Sequence, residues 1–253
     1  MTRVGIAAES EGDLSWVCGL ADRILCNDVE WVEPDVIDAF RTWCGHDGRS
    51  WMDLHRASDE ARARGLRCYG HFDGVPGAVD AHMFRAIFLL FLDEDARPDV
   101  VVVCRDVDGD DERVQGYHQA AKGHSVRGAV RPWPFSIVGA IASPEIEAWL
   151  IAAFSPQTET EADALAIVRQ RIGFDPRFHP EKLTSKRPED KKDAKRVLDE
   201  ISGDDPDRVK ESWDSAPLDD LIDRGKDCGL ADYIGDVRSQ LIPAVVGIAP
   251  STT

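Results

Sequence analysis

No stretch of this chain is both long and apolar enough to cross a bilayer. The longest run, Ala86-Ile-Phe-Leu-Leu-Phe-Leu92, falls far short of the ~20 residues that a spanning helix needs. No basic segment followed by an apolar one opens the sequence, so no leader is expected and a cytoplasmic protein is. Positive charge is also scarce: 30 Lys and Arg face 47 Asp and Glu, a net charge of −17, which argues against a protein that coats nucleic acid by electrostatics. An enzyme acting on nucleic acid is not excluded, because a metal-loaded acidic site with one local basic patch can still engage phosphates. The six cysteines (Cys18, Cys26, Cys44, Cys68, Cys104, Cys228) lack a framework spacing and read as reduced thiols. A Gly-x-x-x-x-Gly-Lys-Ser/Thr phosphate loop is missing, so any ATPase must be a partner, and there is no Gly-x-Ser-x-Gly elbow. Tyr69, Tyr117 and Tyr233 stand in no context that marks a nucleophile, and nothing sets an oligomeric state.

What is present centres on Val100-Val-Val-Val-Cys-Arg-Asp-Val-Asp-Gly-Asp-Asp-Glu112, an apolar run that ends in a cluster of acids. Consecutive β-branched residues read as a strand buried on both faces, as in a parallel sheet. The carboxylates then fall at the strand's C-terminal end, where open α/β sheets bind ligands. Asp106 and Asp108 would point the same way in an extended backbone, an arrangement suited to a hard divalent cation. An acidic loop that simply ends a strand is the competing reading.

In chain order, Arg3–Ala8 reads as a first strand running into Glu9-Ser-Glu-Gly-Asp13, with a helix following from Asp13 or Leu14. A second strand is expected over Asp28–Glu33, helices over 35–43 and 50–64 with Gly65 as terminator, and a strand or loop over Leu66–Phe72. A strongly apolar helix over 79–93 precedes the Val100 strand, and residues 111–121 form another helix. Phe135–Ala142 is the next strand; the helix after it has Ser143 as N-cap, Pro144 in its first position and acids in its first turn. Beyond Ser155-Pro156 the pattern is helical only, with helices over 160–172, over Asp190–Ile201 and in two short pieces within 204–236. Between His179 and Arg196, seven Lys/Arg face four Asp/Glu, the one locally basic region. The expected organisation is an α/β core over 1–154, a helical extension over 155–246 and a disordered tail over 247–253.

Three acidic sites thus stand at the ends of three expected strands: Glu9 with Glu11 and Asp13, Asp106 with Asp108, and Glu145 with Glu147. Their convergence would be costly unless they hold cations or share a proton. The opening Glu9-Ser-Glu-Gly-Asp13, the middle Asp106-Val-Asp108 and the helix Glu145-Ile-Glu-Ala-Trp149 resemble the Toprim fold. The likeness covers about residues 3–153 and is nearest to small bacterial defence-associated Toprim-like proteins and the overcoming-lysogenisation-defect nucleases. Ser10 departs from the glycine usual there, which leaves Glu9 and Glu11 both as candidates for the lead carboxylate, with Glu9 favoured.

The resemblance implies a mostly parallel sheet flanked by helices and a Mg²⁺- or Mn²⁺-dependent nuclease, with DNA favoured over RNA. It implies a catalytic set of Glu9, Asp106, Asp108 and Glu147, with metal ligands drawn from these and from Asp13 and Glu145. Asp110 or Asp111 could help hold a second ion. Lys182, Lys186, Lys192 and Lys195 are the candidates for phosphate contacts. Anti-phage defence beside an ATPase partner is the implied setting. The competing class is a non-catalytic acidic partner of an ATPase or a DNA-binding protein. A zinc set of Cys44, His46, Cys68 and His71 is conceivable but atypical in spacing.

Overall fold

A computed structural model describes residues 1–68, 76–126 and 129–247. The chain opens with β1 (Thr2–Ala8) and α1 (Glu11–Asp28), then β2 (Arg41–Cys44), β3 (Met52–Asp53), α2 (Ala57–Ala63) and α3 (Ala78–Asp93). Next come β4 (Val100–Asp106), α4 (Asp111–Ala121), the antiparallel pair β5 (His124–Val126) and β6 (Ala129–Arg131), β7 (Ser136–Ala142) and α5 (Ile146–Ala153). Helices α6 (Glu159–Ile172), α7 (Ala194–Ser202), α8 (Pro206–Ser215), α9 (Leu218–Arg224), α10 (Leu230–Asp236) and α11 (Ile242–Val246) follow.

The main sheet has the order β2-β1-β4-β7, with β3 also paired to β1. Strands β2, β3 and β4 all run parallel to β1. Ser136 N–H donates to Asp99 O at 3.0 Å and Val107 N–H to Ala142 O at 2.7 Å, so β7 runs parallel to β4. The fold is therefore α/β, a parallel sheet with flanking helices and a helical C-terminal part. Val100 to Val103 have no exposed surface, because in this strand both faces are covered and alternation is lost.

The chain forms two compact units. One comprises Met1–Arg105, Asp110–Ala140 and Gly235–Thr253; the other comprises Asp106–Gly109 and Ile141–Ile234. These units cut across the division at residue 154 that composition suggests. In the first, α3 contributes Phe84, Phe88 and Phe91, each fully or almost fully buried and each contributing roughly 1.5–3 kcal/mol. Helices α3 and α4 approach so closely that a Cβ on Gly116 would lie 2.6 Å from Gly77 O. In the second, α5 is buried nearly all round, and its Trp149 stacks on Tyr233 while Nε1–H donates to Cys228 O at 2.7 Å.

Several expected elements are corrected. Residues 28–33 are not a strand: α1 continues to Asp28, and Val29 and Val32 join Leu25 and Ile37 in an apolar cluster. The strand lies instead at Arg41–Cys44, where helix was expected, because Arg41 is neutralised by Asp22 and Asp38 and can be buried. The 50–64 helix shrinks to α2 behind β3 and a 3-10 turn, and Gly65 ends it with φ +71°. Helix α5 starts at Ile146 with Glu145 as cap residue, so Ser143 and Pro144 lie outside it. The 204–236 region holds three helices, α8 to α10. Most of Leu66–Phe72 and of the 247–253 tail lies outside the described residues.

His46, between β2 and β3, is 1% exposed. Its Nε2 lies 3.2 Å from Glu94 Oε1 and its Nδ1 3.9 Å from Glu60 Oε2, neither in hydrogen-bonding geometry. Burial, then Arg64, push its pKa below the ordinary 6.5, against the opposing pull of Glu94, Asp47 and Glu60. The unfolded chain therefore takes up this proton first as pH falls through 6.5, and the fold loses stability on the acid side. Urea unfolding between pH 7 and pH 5 should show a steeper loss of stability for the wild type than for His46→Gln. Parallel slopes would contradict this.

Candidate active site

Local structure fixes each acid of the set. Ser10 caps α1 in a reciprocal box: its Oγ accepts from Asp13 N–H at 3.4 Å, and Asp13 Oδ2 accepts from Ser10 N–H at 3.1 Å. Asp13 is thus engaged as a helix cap, and Glu11 is exposed in the same first turn. Glu9, just past β1, forms an ion pair with Arg105 at the end of β4, and Arg105 Nη2 also reaches Asp80 Oδ1 at 3.1 Å. Arg105 and Asp80 line an open cavity of about 1000 Å³ shared with His55, His82 and Arg113. This Glu9–Arg105–Asp80 set was not visible in the sequence, because its members are brought together only by folding.

Asp106, Asp108, Glu145 and Glu147 belong to the other unit. Strand β4 ends at Asp106, whose Oδ1 accepts the Ile146 N–H at 3.0 Å. An acid distant in sequence thereby satisfies one of the orphan donors at the start of α5, where no local side chain does so. The expectation that Asp106 and Asp108 share one side of an extended strand fails. Val107 is fully buried, and Asp108 adopts φ +57° in a left-handed turn continued by Gly109 at φ +71°. Asp tolerates this region better than most residues, and Asp108 N–H donates to Pro144 O at 2.7 Å. Ser143 N–H meets Cys228 O at 3.0 Å, which together with Trp149 fixes the segment carrying Glu145 and Glu147.

Lysines answer these carboxylates. Lys186 Nζ lies 3.6 Å from Asp108 Oδ2, and Lys195 Nζ lies 3.5 Å from Glu147 Oε1. Both come from the basic stretch, held in place by a bridge between Ser185 and Asp193 and by Asp193 capping α7. The Lys195 pKa is raised, first by Glu147 and then by Glu145 and Asp106. Glu145 is half-buried, and its Oε1 is buried without a hydrogen-bond partner. Burial first, then Glu147, Asp193 and Asp108, raise its pKa to about 7, against Lys195. Lys182 and Lys192 lie instead over the Phe174 ring. Asp110 caps α4 by accepting Glu112 N–H at 3.1 Å, and Asp111 and Glu112 fill that helix's first turn.

Among the described residues, no group of three or more His, Cys, Asp or Glu side chains stands ready as a metal shell. The donor chemistry nonetheless suits a hard divalent cation, with carboxylate oxygens only and one buried oxygen of Glu145 lacking any partner. Asp106, Asp108, Glu145 and Glu147 are therefore the residues that could hold one. Of the alternative zinc set, Cys44 Sγ lies 3.6 Å from Val4 O, and His71 is outside the described residues. No helix among the described residues is long and apolar enough to cross a membrane. No protein family, no curated protein and no solved structure matches this chain.

Without divalent ions, ionised Glu145 opposes folding. The fold bears no such cost below the ordinary 4.5, where the carboxyl is neutral in both states, and loses stability as pH rises through about 7. The shift sets an upper bound of about 3 kcal/mol, and solvent at this half-buried group reduces it to on the order of 1–2 kcal/mol. In EDTA, Glu145→Gln should exceed the wild type in unfolding free energy at pH 8, and the advantage should vanish near pH 4. Equal stability of the two proteins at pH 8 would refute the charge strain.

Proposed function

We propose that this chain is a Mg²⁺- or Mn²⁺-dependent phosphodiester hydrolase acting on nucleic acid, with Asp106, Asp108, Glu145 and Glu147 as its acidic centre. The carrying observation is the accumulation of these carboxylates in one unit, facing Lys186 and Lys195. A chain with net charge −17 has no shortage of exposed acids, yet here they gather where one oxygen is buried and unpartnered. When bound, the ion would supply an activated water and neutralise charge on the phosphoryl group. Asp106 is fixed by its hydrogen bond to the start of α5 and Asp108 by its turn, so both are preorganised by backbone contacts. Lys186 and Lys195 stand at the border of the acids, where their ammonium groups can pass to phosphate oxygens.

Glu9 stands apart from this centre in the proposal. Its carboxylate is committed to Arg105, whose guanidinium also carries Asp80. The Toprim resemblance would place Glu9 among the ligands, a role that requires Arg105 to release it. DNA as the preferred substrate, the ATPase partner and the anti-phage setting rest on the motif resemblance.

A second reading has its own support: Glu9, Asp108 and Glu147 each have a basic partner, and no ready metal shell stands among the described residues. In that case the chain is a non-catalytic acidic partner of an ATPase or a DNA-binding protein. Incubation of supercoiled plasmid, linear duplex and RNA with Mn²⁺ separates the two. Asp108→Asn and Glu147→Gln should each lower Mn²⁺-dependent cleavage roughly 100-fold or more, with circular dichroism unchanged. Asp106→Asn keeps an oxygen for the Ile146 N–H and tests the same point without uncapping α5. Absence of cleavage by the wild type favours the acidic partner, and cleavage undiminished in all three variants sinks the assignment of this acidic centre.

A further inference from the structure

The basic stretch does more than face the acids. Phe174 and Phe178, four positions apart after α6, are each flanked by two cations. Lys182 and Lys192 Nζ lie 5.8 and 5.9 Å from the Phe174 ring centre, and the Arg177 and Arg224 guanidinium carbons lie 5.6 and 5.2 Å from that of Phe178. Phe178 is 52% exposed, although a phenylalanine gains stability only by leaving water. The two arginines are held by other groups: Arg177 by Asp175 at 2.9 and 3.1 Å, and Arg224 by Asp220 at 2.9 Å and Ala152 O at 3.2 Å. Their planes are thus preset beside an exposed ring. A single exposed aromatic residue is ordinary. Two rings with four cations, two of which (Lys182 and Lys192) come from the locally basic stretch of an acidic chain, form a surface with a definite chemistry.

We infer that Phe174 and Phe178 form a stacking platform for the bases of a single-stranded nucleic acid, whose phosphates are taken by Lys182 and Lys192. The inference rests on the nucleic-acid half of the proposed function and narrows its substrate to an unpaired strand. Every base offers a π face to a ring or a guanidinium plane, whereas a duplex hides those faces in its own stack. Lysine stems are flexible, so their ammonium groups can leave the ring for phosphate oxygens when a base arrives. The stretch that brings Lys182 and Lys192 to Phe174 also carries Lys186 and Lys195 to the acidic centre.

Fluorescence anisotropy of the full chain with labelled oligothymidine and with a hairpin duplex, in EDTA at low salt, tests this. The single strand should bind more tightly than the duplex. Phe178→Ala should weaken single-strand binding about 5- to 100-fold with the salt dependence unchanged, while Lys182→Ala should make that dependence shallower. Phe178→Trp should restore binding, and Ile167→Ala, an exposed position on α6, should bind as the wild type does. Equal affinity for the two forms, wild-type binding by Phe178→Ala, or no binding to either form overturns the platform. Tight single-strand binding in a protein without Mn²⁺-dependent cleavage supports the platform and sinks the hydrolase.

Discussion

A carboxylate moved out of water beside another carboxylate must gain a counter-charge, take up a proton or cost the fold stability. That constraint governs the unit containing Asp106, Asp108, Glu145 and Glu147. Glu145 meets it by holding a proton up to about pH 7, and Glu147 and Asp108 meet it through Lys195 and Lys186. In the proposed function a divalent cation takes over this role of counter-charge. Ammonium groups on exposed stems are weak partners, since pairs of this kind contribute about 0–1 kcal/mol. A divalent ion with a few carboxylate ligands gains far more from the same charges.

Backbone hydrogen bonds and a buried indole place these acids. Asp106 accepts the Ile146 N–H at the start of α5, the Asp108 turn leans on Pro144, and Trp149 anchors α5 to Cys228. None of these contacts is required for a solvated acidic loop. The basic stretch is equally committed. It closes on itself through Ser185 and Asp193, and four of its lysines divide between the acids and the Phe174 ring. Acid centre, basic stretch and aromatic rings therefore belong to one compact unit, while the pair of Glu9 and Arg105 belongs to the other.

Much of this was legible in the residues. The β-branched run at Val100 and the apolar face of α3 gave strand and helix their correct places, because periodicity and burial agree there. Arg41–Cys44 was misread because its burial depends on Asp22, a partner nineteen positions away that no local pattern reveals. The start of α5 was misread for a related reason: Ser143 and Pro144 carry a strong local start signal, but the helix is capped by Asp106. Asp-x-Asp correctly marked a strand end, yet spacing alone could not show that Asp108 turns into the left-handed region. The basic stretch stood out by charge, but the rings just ahead of it, Phe174 and Phe178, gain meaning only when the cations fold over them.

The central claim is that the carboxylates of this unit bind a divalent cation. Electron paramagnetic resonance of free Mn²⁺, titrated with the purified chain, measures it directly and needs no substrate. The account predicts a saturable loss of the free-ion signal that is competed by Mg²⁺ and abolished when Asp108→Asn and Glu147→Gln are combined. A free-ion signal unchanged by the wild-type chain, or depleted equally by the double variant, contradicts it.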